Sequence, residues 1–248
     1  MSMADNHGFG VDIGGSGIKG GVVDMDTGEL VGERYKVLTP QPSTPQACAE
    51  AVREVVDNFG WQGPIGVTVP AVVTGGVVRT AANIDPSWIG TDADALFTAT
   101  LGRDVTVLND ADAAGLAEDR YGAGRDMEGV VLLLTLGTGI GSALLHKGTL
   151  VPNTEFGHLQ VDGKEAEHRA ASSIKDAKGW SYEKWAEQVS RVFREYEKLL
   201  WPDLIVVGGG ISRKAEKWIP MLDVATPVVP AALLNTAGIV GAAMACGG

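Results

Sequence analysis

Asp12, Gly14, Gly15, Ser16, Gly17 and Lys19 lie in one short run, Phe9-Gly10-Val11-Asp12-Ile13-Gly14-Gly15-Ser16-Gly17-Ile18-Lys19. Glycines let backbone N–H groups approach anionic oxygens, Ser16 adds a hydroxyl donor, and Lys19 adds positive charge. Asp12, at the carboxyl end of a strand, can orient Mg²⁺ through water. The set suits metal-assisted phosphate binding; the alternative is a β-hairpin whose glycines serve only the turn.

A second glycine run, Leu134-Thr135-Leu136-Gly137-Thr138-Gly139-Ile140-Gly141-Ser142, superficially matches a dinucleotide fingerprint. That fingerprint opens a helix, whereas Ser142 to His146 reads as another strand, and no P-loop pattern occurs. Thr138 and the neighbouring amides are candidates for cradling a donor phosphate. Asn109-Asp110 sits where a strand hands over to a helix. There Asp110 can accept a hydroxyl proton in phosphoryl transfer, or merely cap a helix beginning at Ala111. Glu155-Phe156-Gly157-His158 offers an acceptor and a donor to adjacent sugar hydroxyls. A lone histidine is more often structural, and the four histidines have no metal-cluster spacing.

Positioning these groups requires alternating strands and helices. Residues 9–13, 18–24 and 30–37 read as strands, with a turn at Asp26-Thr27-Gly28. Pro40, Pro42 and Pro45 break this meander; Ser43 or Thr44 can cap a helix, whose spacing then runs Ala47, Ala51, Val55 and Phe59. A strand over 65–69, a helix over 92–101, a strand over 105–108 and an Ala-rich helix over 111–121 follow. Strands over 130–136 and 142–146, an amphipathic helix over 181–200 and a strand over 204–207 complete a second set. The turn Gly208-Gly209-Gly210 and a small, apolar helix over 236–246 end the series. This order predicts a mixed α/β protein of two lobes around a cleft. The expected division is 1–110, joined by 236–248, and 111–235.

With 248 residues and 45% hydrophobic content, the chain can bury one large core or two ordinary lobes. No apolar run approaches the roughly 20 residues needed to span a bilayer, so a cytoplasmic protein is expected. The formal charge of −11 argues against nucleic-acid and anionic-membrane binding. Cys48 and Cys246 form neither a disulfide framework nor a metal knuckle.

In order, Asp12-Ile-Gly-Gly-Ser-Gly-Ile-Lys19, Asn109-Asp110, Leu136-Gly-Thr-Gly-Ile-Gly141, Glu155-Phe-Gly-His158 and Val207-Gly-Gly-Gly-Ile211 resemble the ROK sugar kinases. Ala82-Asn83-Ile84-Asp85, the run from Leu108 to Glu118, Leu150 to Glu155 and Asn235 to Ala243 resemble the polyphosphate-using glucokinase branch of that family. The resemblance implies an actin-like ATPase fold of two RNase-H-like lobes closing on glucose, with polyphosphate or ATP as donor and Mg²⁺ as cofactor. It implies that Asp110 is the base for the sugar 6-hydroxyl, and that Asn83, Asn109, Glu155, His158 and Glu167 contact the sugar. Asp12, Gly14, Gly15, Ser16 and Lys19 would form the first phosphate motif, and Thr135, Gly137, Thr138 and Gly139 the second. Gly208, Gly209 and Gly210 would lie near an adenosine or distal-donor site. A homodimer is a further family expectation.

Many ROK proteins carry a cysteine-rich zinc loop after Glu-x-Gly-His. Val161 to Glu167 contains no cysteine, so structural zinc is not expected. Ser172 to Trp180 is less basic than the branch would suggest. A basic groove could draw on Lys19, Arg169, Lys175, Lys178, Arg213 and Lys214, each of which can equally be solvated surface charge. The rival readings are an ATP-dependent glucokinase or mannokinase, a non-catalytic sugar-sensing ROK protein, and an actin-like assembly protein.

Overall fold

Gly15-Ser16 turns the chain tightly, so that β1 (His7–Gly14) runs back along β2 (Gly17–Asp24) with Asp12 opposite Lys19. The structure is a computed structural model and describes residues 6–82 and 84–246. After the hairpin come β3 (Tyr35–Val37), α1 (Pro45–Phe59), β4 (Ile65–Val69), β5 (Val73–Thr74), β6 (Val77–Val78), α2 (Ala93–Leu101), β7 (Val105–Asn109) and α3 (Asp110–Tyr121). The chain continues through β8 (Val130–Leu136), β9 (Ile140–His146), β10 (Thr149–Val151), β11 (Gln160–Val161), β12 (Lys164–Glu165), α4 (Glu167–Ala170) and α5 (Ser172–Ala177). It closes with α6 (Tyr182–Leu200), β13 (Leu204–Gly208), β14 (Val228–Pro230) and α7 (Ala237–Ala245).

Two compact units result. Unit 1 comprises the described residues through Ala117 and from Thr236 onward; unit 2 is Glu118–Asn235. The sequence-based division at 110/111 falls at the start of α3, whereas the unit boundary lies inside that helix. Each unit has a five-stranded sheet, ordered β3-β2-β1-β4-β7 in unit 1 and β10-β9-β8-β13-β14 in unit 2. In both, an antiparallel meander is extended by two parallel strands.

Side chains alternate across a strand. In unit 1 Val11 and its partner Gly20 face Val55 of α1, while Gly10 and Asp12 face α7. A methyl on Gly10 would collide with the Ile239 carbonyl, one on Gly66 with that of Ala242, and one on Gly241 with that of Ala113. Helix α7 therefore rests its backbone directly on β1, β4 and α3, which explains its composition of small apolar residues. In unit 2, α6 buries Trp185, Val189, Val192, Phe193 and Tyr196 against Leu132, Leu134, Ile205 and Val207. Burial of each such side chain contributes about 2 kcal/mol. Ser181 caps α6 by accepting from the Lys184 amide at 3.1 Å.

One expectation needs correction. The strand over 30–37 shrinks to Tyr35–Val37, with Leu30 making only an isolated bridge to Val23, because Gly32 adopts φ of 82° and turns the chain aside. The meander ends before the prolines, and Pro45 begins α1, where a missing N–H costs nothing, with Thr44 as its cap. Cys48 and Cys246 are free thiols; burial pushes Cys48 up to about 11.

Candidate active site

In unit 1 the Asp12 carboxylate is held from two sides. Lys19 Nζ donates to Oδ2 at 2.9 Å and Thr68 Oγ1 donates to Oδ1 at 3.0 Å. Thr68 is the residue beside Asp12 on β4. A methyl on Gly238 of α7 would lie 3.0 Å from Asp12 Cγ, so that helix also sits against the carboxylate. At the turn, Gly15 and Ser16 are exposed, and the Gly14 carbonyl accepts from Thr39 Oγ1 at 2.5 Å. A cleft of about 300 Å³ beside the turn is lined by Gly14, Gly15, Thr39, Pro70, Ala82 and Asp85 among others. Each Asp12 oxygen keeps a lone pair beyond those used. One such hard carboxylate suits a divalent cation that keeps its waters and binds phosphate oxygens, rather than a cation caged by protein alone.

Asp110 is the first residue of α3. The cap of that helix is Asn109, whose Oδ1 accepts from the amides of Ala111 and Asp112 at 2.8 and 3.0 Å. Asp110 Oδ1 also accepts from the Ala111 amide, at 2.8 Å. Asp110 thus stands at the positive end of the helix, which favours a carboxylate anion. Asn109 Nδ2 donates one of its two amide hydrogens to the Ala71 carbonyl at 3.1 Å. Asn83 lies outside the described residues.

In unit 2, β9 follows the second glycine run directly, so the run is a hairpin turn rather than a dinucleotide fingerprint. Its carbonyls are tied down from behind. The Gly137 carbonyl accepts from the Ser173 amide at 3.1 Å and Ser172 Oγ at 3.2 Å, and that of Thr138 accepts from Ser173 Oγ at 2.7 Å. Thr135 Oγ1 accepts from the Gly141 amide at 3.2 Å and Glu167 Oε2 from that of Ile140 at 3.3 Å. Gly208 pairs with Thr135, and Gly209, with φ of 82°, leaves no room for a methyl beside the Leu136 carbonyl. The third glycine turn therefore abuts the second.

Glu155-Phe156-Gly157-His158 rests on the same turn. A methyl on Gly157 would collide with the Ile140 carbonyl. Ser142 Oγ accepts from the Phe156 amide at 3.1 Å, and Tyr196 OH donates to the Phe156 carbonyl at 2.9 Å. His158 Nε2 is 3.8 Å from Glu155 Oε2, and its Nδ1 is 3.4 Å from Glu165 Oε2. Burial pushes Glu155 above the usual carboxylate range, with His158 opposing and Glu167 adding to that shift. The histidine spacing showed no cluster, yet folding brings ligand atoms of His158, Glu165 and Glu167 within 4.8 Å of one another.

The basic residues expected to form a groove differ in their surroundings. Arg169 donates to the carbonyls of Val161 and Asp162 at 2.7 and 2.8 Å, which braces the β11–β12 turn. Lys175 lies over the Tyr182 ring and pairs with Asp176 at 3.0 Å, and Lys178 lies over the Trp180 ring. Arg213 and Lys214 are exposed. Sequence reasoning did not single out Thr68, Ser142 or Tyr196 as supports. The one local signal was a threonine inside the otherwise apolar run Ile65 to Val69.

Residues 8–173 match the profile described as the ROK family. The polyphosphate glucokinase of Mycobacterium tuberculosis is 68% identical over 245 residues, spanning 98% of this chain and 92% of that protein. The inorganic polyphosphate/ATP-glucomannokinase of Arthrobacter sp. strain KM superposes with a TM-score of 0.92 at 52% identity, covering 96% of this chain and 97% of that one. A ROK family glucokinase from Streptomyces griseus, solved with glucose and AMPPNP, superposes with a TM-score of 0.82 at 25% identity, covering 96% and 98%. The architecture is accordingly the actin-like ATPase fold with two lobes.

Proposed function

The chain belongs to the ROK family, and on that footing we propose that it transfers the terminal phosphoryl group of inorganic polyphosphate, and of ATP, to the 6-hydroxyl of glucose. The observation that carries this is the 68% identity to the M. tuberculosis polyphosphate glucokinase over nearly the whole chain. In this reading Asp110 takes the proton of the 6-hydroxyl as its oxygen bonds to the terminal phosphorus. The bond to the bridging oxygen breaks, and polyphosphate shortened by one unit, or ADP, leaves.

Asn109 holds Asp110 at the helix end and offers its remaining amide hydrogen to the sugar. Glu155, His158 and Glu167 accept from or donate to the other sugar hydroxyls, with Asn83 as a further contact. The amides of Gly14, Gly15 and Ser16, with Lys19, and those of Gly137, Thr138 and Gly139 hold donor oxygens; Gly208 to Gly210 serve the distal donor. A divalent cation, which we assign as Mg²⁺ beside Asp12, would neutralise charge on the donor oxygens. With Val161 to Glu167 free of cysteine, the proposal includes no structural zinc. It includes a homodimer in the cytoplasm, in keeping with the family resemblance; no described helix is long and apolar enough to cross a membrane.

The glucomannokinase relative favours a second reading in which mannose is also accepted, or ATP is the main donor. Glucose 6-phosphate formation from glucose and mannose 6-phosphate formation from mannose are measured with Mg²⁺ and either nucleotide-free polyphosphate or ATP as sole donor. Turnover with polyphosphate and glucose is the expected result. Turnover with ATP alone moves the protein to the second reading, and none with either donor refutes both.

A further inference from the structure

Lys36 belongs to none of the motifs, yet folding carries it to the first glycine turn. Asp12 pairs with Lys19 across β1 and β2, and Lys19 pairs with Lys36 across β2 and β3. Directly paired residues project from the same face, so Asp12, Lys19 and Lys36 form a row. Lys19 neutralises Asp12 through their ion pair. Among the described residues, Lys36 makes no ion pair, and it is exposed.

Its place is set by Gly17. A methyl there would collide with Lys36 Cε, would lie 3.0 Å from Nζ, and would crowd the Val37 carbonyl at 3.1 Å. Gly17 does not have a positive φ, so its backbone does not require glycine. The space it leaves is filled by the lysine stem, which brings the ammonium to the residue that follows Ser16. Thr39, just beyond β3, braces Gly14 at the other end of the turn. The segment 36–39 thus backs the turn with a hydroxyl at one end and a cation at the other.

On a chain of net charge −11, a polyanionic donor needs local positive charge, and the Asp12–Lys19 pair supplies no net charge. We propose that Lys36 is a donor-binding residue: its ammonium contacts the phosphate chain of polyphosphate where it passes the first glycine turn. This rests on the reading that the turn holds the donor.

Lys36→Met raises the KM for polyphosphate about tenfold, the order expected for losing one charge-assisted contact. The KM for glucose and kcat stay within about twofold, as they do in Lys217→Met, a control at an exposed lysine of unit 2. Lys36→Arg keeps most of the donor affinity, and added salt weakens donor binding less steeply in Lys36→Met than in the wild type. Gly17→Ala, which displaces the stem, raises the same KM in the wild-type background and adds less in Lys36→Met. If the wild type uses polyphosphate and Lys36→Met has the wild-type KM, the inference is overturned while the proposed function stands. Equal losses in the Arg and Met variants also overturn it. If the wild type transfers phosphate from neither donor, the proposed function fails. Calorimetry with tripolyphosphate then judges Lys36 separately, with weaker binding by Lys36→Met supporting its role and equal binding refuting it.

Discussion

The first glycine turn is built around charge, the second around backbone. In unit 1, Asp12, Lys19 and Thr68 interlock by their side chains across neighbouring strands. In unit 2, Ser172 and Ser173 hold the carbonyls of Gly137 and Thr138, and Glu167 takes the Ile140 amide. The sheets have the same strand order, so the contrast lies in residues rather than topology. On the proposed function, unit 1 supplies the groups whose charge matters in transfer, and unit 2 the rigid amides and sugar contacts that orient substrates.

The sharpest way to break this contrast is Asp110→Asn. It should lower kcat by about three orders of magnitude while leaving the KM for glucose within about threefold. Near-normal turnover in a variant with a native circular dichroism spectrum would remove Asp110 from the role of base. Its counterpart in unit 2, Glu155→Ala, should do the reverse and raise the KM for glucose by about one to two orders of magnitude with a smaller change in kcat. An unchanged glucose dependence would take Glu155 out of the sugar site.

Stability offers a third test. Gly66→Ala drives a methyl into the Ala242 carbonyl and should destabilise by about 3 kcal/mol. Gly137→Ala points into open space and should cost less than about 1 kcal/mol while weakening donor binding. Thermal melts of the two variants should therefore differ clearly; equal melting temperatures would mean that α7 tolerates displacement.

The smallest expected effect is on pH dependence. Because burial raises Glu155, it takes up a proton at higher pH than an ordinary glutamate, and protonation removes its acceptor charge. The KM for glucose should then rise as pH falls, beginning above the usual carboxylate range, and Glu155→Gln should flatten that rise. Parallel profiles in the two proteins would assign the acid limb to another group.

Much of the framework was legible because it is local. Ser142 to His146 continues as a strand after Gly141, which distinguished a hairpin from a nucleotide-binding helix, and the apolar spacing of 181–200 marked α6. The extent of the third strand was misjudged because a single left-handed glycine, Gly32, outweighs the strand-forming residues around it. Supporting partners were harder to see. Thr68 and Asp12, Tyr196 and Phe156, and Gly157 and Ile140 meet only through sheet pairing or helix packing, and local patterns carry no record of such register. Lys36 was overlooked for the same reason, since it neighbours Lys19 across β2 and β3 but lies far from it along the chain.

Helix α7 also bears on how the protein is made. It completes the face of β1 and β4 on which Asp12 lies, yet all of unit 2 is synthesised before it. Unit 2 is continuous along the chain, whereas unit 1, though begun first, waits with the glycine-rich face of its sheet, on which Asp12 lies, still uncovered. The order of synthesis and the order of completion are therefore reversed, and the Asp12 carboxylate gains its α7 neighbour only after the second glycine turn has been made.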